Sequence, residues 1–398
     1  DATKSDKSVA IMKVCLYTID MYAGTERLMP WRTLVEGAKY MREYSKITIS
    51  VCSGQDKDFR NREYDSVTIH SIKKGIPALV SYLQRNETDV LFYPVAFRDV
   101  FKPLEQLQCI KAQKIAYIPG GIYPLNGIIA LGKVIGIKNA KPYILEKIIP
   151  HSWLVSKMKR KGFSYIISFS DITKQNVVKC GWSSSYALST IPGLDNFNRL
   201  ESDYFYLDKL NLQNKKFILF SGAPATIRGS IMLLKAFDLF AEQEKTMGLV
   251  MLMRQDLSSD FTLFKQALNG MKNSHRVIVS YEKLSPQQLK AFFESAYVVA
   301  LPFLLIPSEI PLTYFEVLSC GTPIITFKNG GSTEYIKNAA VVISNRTPRA
   351  LSSGLDKICR NSQYRDELAK QAIELMKNHH SWKEFAKQWI TTIENLAV

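Results

Sequence analysis

Short apolar runs alternate with helical patterns along almost the whole chain, and this alternation limits the fold more than any other feature. The first run, at residues 9–19, is continuously apolar and has the length of a strand buried on both faces. A helical pattern over 31–44 and a strand pattern over 47–54 complete a β-α-β unit. The alternation continues with strands predicted at 89–95, 114–119 and 164–170, and helices at 77–85, before residue 114, and from Ser170 or Asp171. The first half is therefore predicted to form a doubly wound parallel sheet.

A second series of the same kind follows a polar segment at 195–216. Its predicted strands lie at 217–222, 248–253, 276–281, 297–303 and 323–327, its helices at 229–245, 261–272 and 286–296, and the last helices run from about 348 to 396. At roughly 100–200 residues per domain, the 398-residue chain has room for two such domains. We predict an α/β fold of two Rossmann-like doubly wound domains that face a central cleft. The N-terminal domain is predicted at 9–200, completed by a C-terminal helix at 381–398, and the C-terminal domain at 212–380.

Composition narrows the classes of partner. The net charge of +16 favours a polyanionic partner such as a phosphate-bearing substrate, an anionic lipid or a nucleic acid, with a solvated basic surface as the alternative. The six cysteines are scattered and form no CxxC pair, so neither a zinc site nor a redox motif is predicted. No apolar run reaches ~20 residues, and a transmembrane helix is therefore not predicted.

The motif with the most chemical content lies at 307–334. Glu309 and Glu316 are seven residues apart, and a helix is predicted to start between them, near Pro311 or Leu312. The amides at such a helix start can bind an anion such as a diphosphate, and Glu316 could accept hydrogen bonds from ribose hydroxyls. A plain helix–glycine–strand connection with solvated acids is the alternative.

This stretch resembles the signature of retaining glycosyltransferase family 4, whose fold is GT-B. The matching residues are Glu316, the run from Cys320 to Pro323, and the run from Gly330 to Glu334. Four further segments resemble the family in the same order along the chain, and they lie at 21–27, 164–182, 189–197 and 380–396. The segment 217–237 resembles the family's glycine loop and helix start, with Gly222 as the glycine and Arg228 at the usual lysine position.

The resemblance implies the transfer of a sugar, with retention of anomeric configuration, from a UDP- or GDP-type nucleotide-sugar to a glycan, lipid-linked or protein acceptor. It implies no cofactor and no obligatory metal, because protein cations and helix-end amides hold the phosphates. Arg228 and Glu309 are the predicted catalytic residues. The predicted donor-binding residues are Gly222, Arg228, Ser308, Glu309, Ile310, Pro311, Leu312, Thr313 and Glu316. Gly24 and Thr25 form the predicted acceptor or phosphate loop, and Asp20, Lys174 and Glu334 are weaker candidates.

Three departures from the family pattern keep alternatives open. Ser308 stands at the strict position of the first acid, so either the loop is shifted to Glu309 or Ser308 replaces the acid. Ala223 stands where the family has an arginine, and the run from Ile118 to Gly121 lacks its histidine. A non-catalytic GT-B subunit that supports an active glycosyltransferase is therefore one alternative. A basic nucleic-acid-binding or membrane-binding protein that uses this fold is another.

A basic stretch at 131–163 holds seven lysines, one arginine and a single acid, with aliphatic residues between them. This composition is typical of an amphipathic surface that lies on an anionic bilayer, or of a solvated helix face. A nucleic-acid partner is not favoured, because no nucleic-acid-binding motif accompanies the charge. We expect a cytoplasmic protein that can be peripheral to the inner face of a membrane.

Overall fold

The structure is a computed structural model, and it describes residues 11–44, 46–194, 197–254, 259–306 and 308–396. The described strands are β1 (Met12–Ile19), β2 (Ile47–Gln55), β3 (Arg62–Tyr64), β4 (Val67–Lys73), β5 (Val90–Pro94), β6 (Gln113–Ile118), β7 (Phe163–Ser168), β8 (Ala187–Ser189), β9 (Phe217–Gly222), β10 (Gly248–Met253), β11 (Val277–Ser280), β12 (Val298–Ala300), β13 (Ile324–Phe327) and β14 (Ala340–Ile343). The described α-helices are α1 (Trp31–Met41), α2 (Ile76–Arg85), α3 (Leu125–Ile135), α4 (Ile137–Ile148), α5 (His151–Arg160), α6 (Asp171–Lys179), α7 (Phe205–Lys209), α8 (Ser230–Gln243), α9 (Ser259–Asn269), α10 (Pro286–Ser295), α11 (Leu312–Ser319), α12 (Gly330–Ile336), α13 (Pro348–Arg360), α14 (Ser362–Lys377) and α15 (Trp382–Glu394).

The chain divides into two compact units. Unit 1 contains the described residues of Asp1–Gly120, Ile149–Gly193 and His380–Val398. Unit 2 contains those of Gly121–Ile148 and Leu194–His379. Each unit has its own sheet, and the predicted α/β class with two Rossmann-like units is confirmed.

The sheet of unit 1 has the order β3-β4-β2-β1-β5-β6-β7-β8, and it is parallel except for the β3–β4 pair. The continuous apolar run at its centre is explained by burial on both faces, since Cys15 and Leu16 of β1 are fully buried. Helix α15 belongs to this unit. Its Trp389 ring stacks on Phe92 of β5 at 4.8 Å, and the Trp389 indole donates to the Thr190 hydroxyl.

The sheet of unit 2 has the order β11-β10-β9-β12-β13-β14, and its described pairs are all parallel. Successive strands are added on one side of β9 and then, from β12 onwards, on the other side. The strand order therefore reverses between β9 and β12. In open parallel sheets, ligands bind beyond the carboxyl ends of the two strands at such a reversal. This topology directs attention to the segments that follow β9 and β12.

The predicted N-terminal domain at 9–200 differs from unit 1 mainly at residues 121–148, which pack with unit 2. Ile128 and Leu131 of α3 lie in the hydrophobic core of unit 2 with Leu304 and Leu305. The Asn126 amide accepts a hydrogen bond from Arg346 and donates one to the Ser344 carbonyl. The order of elements along the chain does not indicate which sheet a helix packs against. The packing of residues 121–148 with unit 2 was therefore not predicted.

Some elements also differ from the sequence-based prediction. The helix expected before β6 is two short 3-10 turns, at Phe97–Phe101 and Leu104–Cys109. Pro103 separates them, and it has no N–H with which to continue a helix. The antiparallel β3–β4 pair and the edge strand β14 were not predicted. β3 and β14 have only three and four residues, which give little periodicity.

Candidate functional site

The segment after β9 turns sharply towards the loop that follows β12. A 3-10 turn, Thr226–Arg228, ends at Gly229, whose φ is +79°. A Cβ atom at Gly229 would lie 1.9 Å from the Pro302 carbonyl oxygen, so only glycine permits this approach. The Ile227 carbonyl accepts the backbone N–H of Leu304 at 2.8 Å. The two loops at the reversal of strand order are therefore joined directly.

Arg228 supplies a cation at this point. Its guanidinium lies 5.8 Å from the centre of the Phe303 ring. The same group lies next to Gly222, because a Cβ atom at Gly222 would be 3.4 Å from Arg228 Nη1. Within the described residues, the guanidinium makes no hydrogen bond or ion pair. Burial, and then the nearby charge of Arg254, lower the pKa of Arg228 to about 10, so it remains protonated at neutral pH. The predicted pair of Gly222 and Arg228 is thus brought together around an uncompensated positive charge.

The loop after β12 places both candidates for the first acidic position inside the protein. Ser308 is 6% exposed and Glu309 is 4% exposed, so neither is a solvated neighbour of the other. Among the described residues, the buried Ser308 hydroxyl has no hydrogen-bond partner, and neither has the buried Thr226 hydroxyl in the turn after β9. A Cβ at Gly121 would lie 3.5 Å from Glu309 Cγ, which places the start of the 121–148 segment against this carboxylate. Unpartnered buried hydroxyls are uncommon in native structures and are consistent with a ligand site.

Helix α11 starts where the sequence predicted. Pro311 precedes its first residue, Leu312, and no side chain in the described part of the chain caps the amides of its first turn. The Tyr314 amide of this turn donates to the Pro311 carbonyl at 3.0 Å. The amides of Leu312 and Thr313 precede the first helical hydrogen bond and carry the positive end of the helix dipole. Ile310 is fully buried behind them, and Glu316 lies half-buried on the second turn. The helix ends before Gly321, whose φ is +70°.

A buried polar network, not predicted from the sequence, supports the β12 loop. The Asn329 amide donates to the carbonyls of Phe303 and Phe327. Arg346 donates to the Asn329 side-chain oxygen at 3.0 Å and to the side-chain oxygen of Asn126 at 2.6 Å. The network therefore ties the loop, β13 and α3 together. Its residues are far apart in sequence, and only the position of Asn329 next to the predicted glycine pair gave a signal.

The unit 1 candidates lie around the end of β1. Gly24 has φ +87° with open space at its Cβ position, and the Thr25 hydroxyl donates to the Tyr22 carbonyl. Asp20 forms an ion pair with Lys74 at 2.8 Å, and it accepts a hydrogen bond from the Tyr22 hydroxyl. These contacts hold the loop in one shape, and the positive φ at position 24 favours glycine there.

A buried ion pair of Glu26 with Arg62 also holds this loop, at 2.8 Å. It was not predicted, because nothing in the sequence joins the loop to the short strand β3. The two remaining weaker candidates show no special environment. Lys174 lies half-buried on α6. Glu334 is exposed on α12, where the Lys337 ammonium donates to its carboxylate and lowers the pKa of that carboxyl.

The basic stretch at 131–163 is divided between the two units. Its first part ends α3 and forms α4 in unit 2, whereas its second part forms α5 in unit 1. Lys157 of α5 donates to the backbone carbonyls of Val100 and Lys102, and the ammonium of Lys161, directly after α5, lies 3.5 Å from the Glu105 carboxylate. These cations are already engaged within unit 1. Among the described residues, no helix combines the length and the apolar character that crossing a membrane requires.

Helix α4 has an exposed face of a different kind. Ile137 and Ile148 are 77% and 69% exposed, and Leu145 is 47% exposed. At 100° per residue these three side chains and that of Lys141 lie on the same side of the helix. Exposed aliphatic side chains and lysines, the features that predicted a membrane surface, therefore occur together on α4. Membrane binding itself remains a prediction.

Comparisons of the sequence with known proteins find relatives for part of the chain. Residues 205–375, which lie in unit 2, match the family model described as glycosyl transferases group 1. Spore coat protein SA of Bacillus subtilis is 20% identical over 193 residues, which are 47% of this chain and 50% of that protein. An uncharacterized glycosyltransferase of Methanocaldococcus jannaschii is 22% identical over 179 residues, 44% of each chain. The chain spans about half the length of the curated relatives it matches.

Solved structures match over nearly the full length. Sucrose-phosphate synthase from Thermosynechococcus elongatus has a TM-score of 0.71 at 14% identity, covering 97% of this chain and 99% of that one. Anabaena HepE in complex with UDP and glucose has a TM-score of 0.70 at 12% identity, covering 96% and 100%. The chain has the GT-B fold, and the predicted resemblance to GT-B glycosyltransferases is confirmed. Membership of family 4 and the retaining mechanism remain predictions.

Proposed function

We propose that this protein is a glycosyltransferase whose unit 2 holds a nucleotide-sugar donor at the strand-order reversal between β9 and β12. The observation that carries the proposal is Arg228, a protonated side chain without a described anionic partner at the carboxyl end of the sheet. The unpartnered hydroxyls of Thr226 and Ser308 and the uncapped start of α11 support it. All of these groups would be satisfied by a phosphate-bearing ligand.

Arg228 and the amides of Leu312 and Thr313 are proposed to hold the two phosphates of the donor. When the bond between sugar and phosphate breaks, negative charge accumulates on the departing phosphate oxygen. A cation and helix-end amides that are already in place stabilise that charge without rearrangement. Protein groups would thereby take the role that a metal ion has in other phosphate sites, and no obligatory metal is proposed.

The two acids are proposed to bind the other parts of the donor. Glu309, buried in the β12 loop, would contact the sugar and steady positive charge at its reacting carbon. Glu316, half-buried on α11, would accept hydrogen bonds from the ribose hydroxyls. The resemblance to family 4 leads us to propose a UDP- or GDP-type donor and transfer with retention. The structures of Anabaena HepE with UDP and with UDP-glucose support the UDP-type donor.

Donor hydrolysis by the purified chain tests the proposal. Many transferases release sugar to water when no acceptor is present, so slow hydrolysis of at least one UDP- or GDP-sugar is expected, with loss in Arg228→Ala. Hydrolysis that is equal in the wild type and in this variant would contradict the assignment. Tight nucleotide binding without any turnover would favour the second candidate, a non-catalytic subunit, which Ala223 and the histidine-free run Ile118–Gly121 motivate.

We also propose that α4 docks on an anionic membrane, where a lipid-linked acceptor would be found. Its exposed Ile137, Leu145 and Ile148 can enter the interface while Lys138 and Lys141 meet the headgroups. Each basic residue near such a surface contributes about 1 kcal/mol, which gives reversible and salt-sensitive binding. A glycan or protein acceptor remains the alternative.

Liposome co-sedimentation tests this docking. The chain should pellet with anionic vesicles at low salt, and not with neutral vesicles or at high salt. Replacing Lys138, Lys141 and Lys147 by Gln should abolish pelleting. Replacing the exposed Lys283, Lys370 and Lys377 by Gln removes the same charge elsewhere in unit 2 and should have little effect. Equal pelleting with both lipids, or equal losses in the two triple variants, would contradict a specific α4 surface.

A further inference from the structure

Arg254 lies directly beside the glycine loop of the proposed donor site. It is the first residue after β10, which pairs in parallel with β9 so that Met253 is opposite Gly222. The backbone N–H of Arg254 donates to the Gly222 carbonyl at 3.1 Å. The Arg254 backbone and the Arg228 guanidinium therefore both lie next to Gly222, at the carboxyl ends of β9 and β10.

The two arginines are close enough to affect each other. The Arg254 charge contributes to lowering the pKa of Arg228, which means that the two cations repel. The side chain of Arg254 is exposed, whereas that of Arg228 is half-buried. Asp260, at the start of α9, uses one carboxylate oxygen to accept the amide N–H of Thr226 in the same turn. A ligand with two negative charges would relieve the repulsion between the arginines.

The diphosphate of a nucleotide-sugar carries two negative charges. The loop after β9 lacks one of the cations that the resembled family has there. Ala223, directly after Gly222, stands at the position where the resembled family has an arginine. We propose that Arg254 replaces that arginine from the neighbouring strand and, together with Arg228, binds the donor's diphosphate. This inference rests on the proposed function, because it names a further residue of the same site.

Calorimetry with UDP, GDP and their nucleosides tests it. Arg254→Ala should weaken binding of the preferred diphosphate about tenfold or more, since a charged hydrogen bond is lost, while binding of the nucleoside changes little. Arg254→Lys should lose less, because the charge is kept. Adding Ala223→Arg to Arg254→Ala should restore much of the affinity, which a merely structural role of Arg254 would not allow. Arg349→Ala removes an exposed arginine elsewhere in unit 2 and serves as the control.

The outcomes separate this inference from the proposed function. If the wild type binds UDP or GDP and Arg254→Ala binds it equally well, Arg254 has no part in the site, although the donor site itself stands. A loss of affinity that Ala223→Arg does not restore, with an equal loss for the nucleoside, would also overturn the inference. If the wild type binds neither diphosphate, both proposals fail.

Discussion

Arg228 is the residue on which the proposed chemistry depends most. Its guanidinium lies over Phe303 at the end of the sheet, and its positive charge has no described anionic partner. Arg228→Ala should therefore lower kcat by about 10²- to 10³-fold, or ~2.7–4 kcal/mol of barrier, as the loss of one charge-stabilising contact commonly does. Steady-state kinetics with the best donor would measure this, and Arg349→Ala is the matched control. An unchanged kcat/KM would exclude Arg228 from the phosphate site.

Ser308 and Glu309 are the two candidates for the first acidic position of the family pattern, and both are buried. Substitution of each residue distinguishes them. If the loop is shifted by one residue, Glu309→Gln should lose far more transfer activity than Ser308→Ala. The reason is that only a carboxylate can steady positive charge on the reacting sugar. The two variants should be compared in kcat with the same donor. The opposite order would show that Ser308 holds the family position and that Glu309 serves the fold.

Candidate site residues could be proposed where they belong to a short sequence motif. Residues that come into contact only in the folded protein could not be proposed from the sequence. Glu309, Glu316 and Gly222 were predicted because they lie in segments that resemble a known family, and their roles remain predictions. Asn126 and Arg346 could not be predicted, since 220 positions separate them and neither belongs to a periodic pattern. Their contact follows from the folded arrangement of α3 and the β14 end of unit 2, which the sequence pattern does not contain.

Helix α3 gives the sharpest test at the level of elements. A Cβ atom at Gly127 would lie 2.4 Å from the Leu304 carbonyl oxygen, so Gly127→Ala should overpack the contact of α3 with the β12 loop and destabilise unit 2 by about 1–3 kcal/mol. Gly132→Ala, on the same helix, would meet only Ala140 at 3.8 Å and should be neutral or stabilising by roughly 0.5–1 kcal/mol. Urea unfolding of both variants measures the difference. Equal stability would mean that α3 does not pack on unit 2 as described.

Long buried strands and capped helices were the elements best predicted from the sequence. β10 was predicted at 248–253, where the structure has it, because it is a pure apolar run that ends at a charged residue. Helix α6 begins after Ser170, whose hydroxyl accepts the Thr173 amide, as its sequence suggested. The basic stretch was predicted as one amphipathic surface, because composition does not reveal that α4 and α5 belong to different units.

At the scale of the whole molecule, the alternation of strands and helices predicts two doubly wound sheets, because parallel strands need helical crossovers. It does not predict that the chain leaves unit 1 after Gly120, builds α3 and α4 into unit 2, and returns at Ile149. This exchange places Gly121 against Glu309. The segment 121–148, which was predicted as part of the N-terminal domain, is thus packed with the unit proposed to bind the donor.

Thermal unfolding of the intact chain with a panel of UDP- and GDP-sugars tests the proposed donor site most directly. A ligand that binds only the folded protein stabilises it by mass action, by about 2.7 kcal/mol at a concentration near 100 Kd. At least one nucleotide-sugar should raise Tm in the wild type, and the same ligand should raise it much less in Arg228→Ala. A Tm that no nucleotide-sugar changes, or that rises equally in Arg228→Ala, would contradict a donor site at the reversal between β9 and β12.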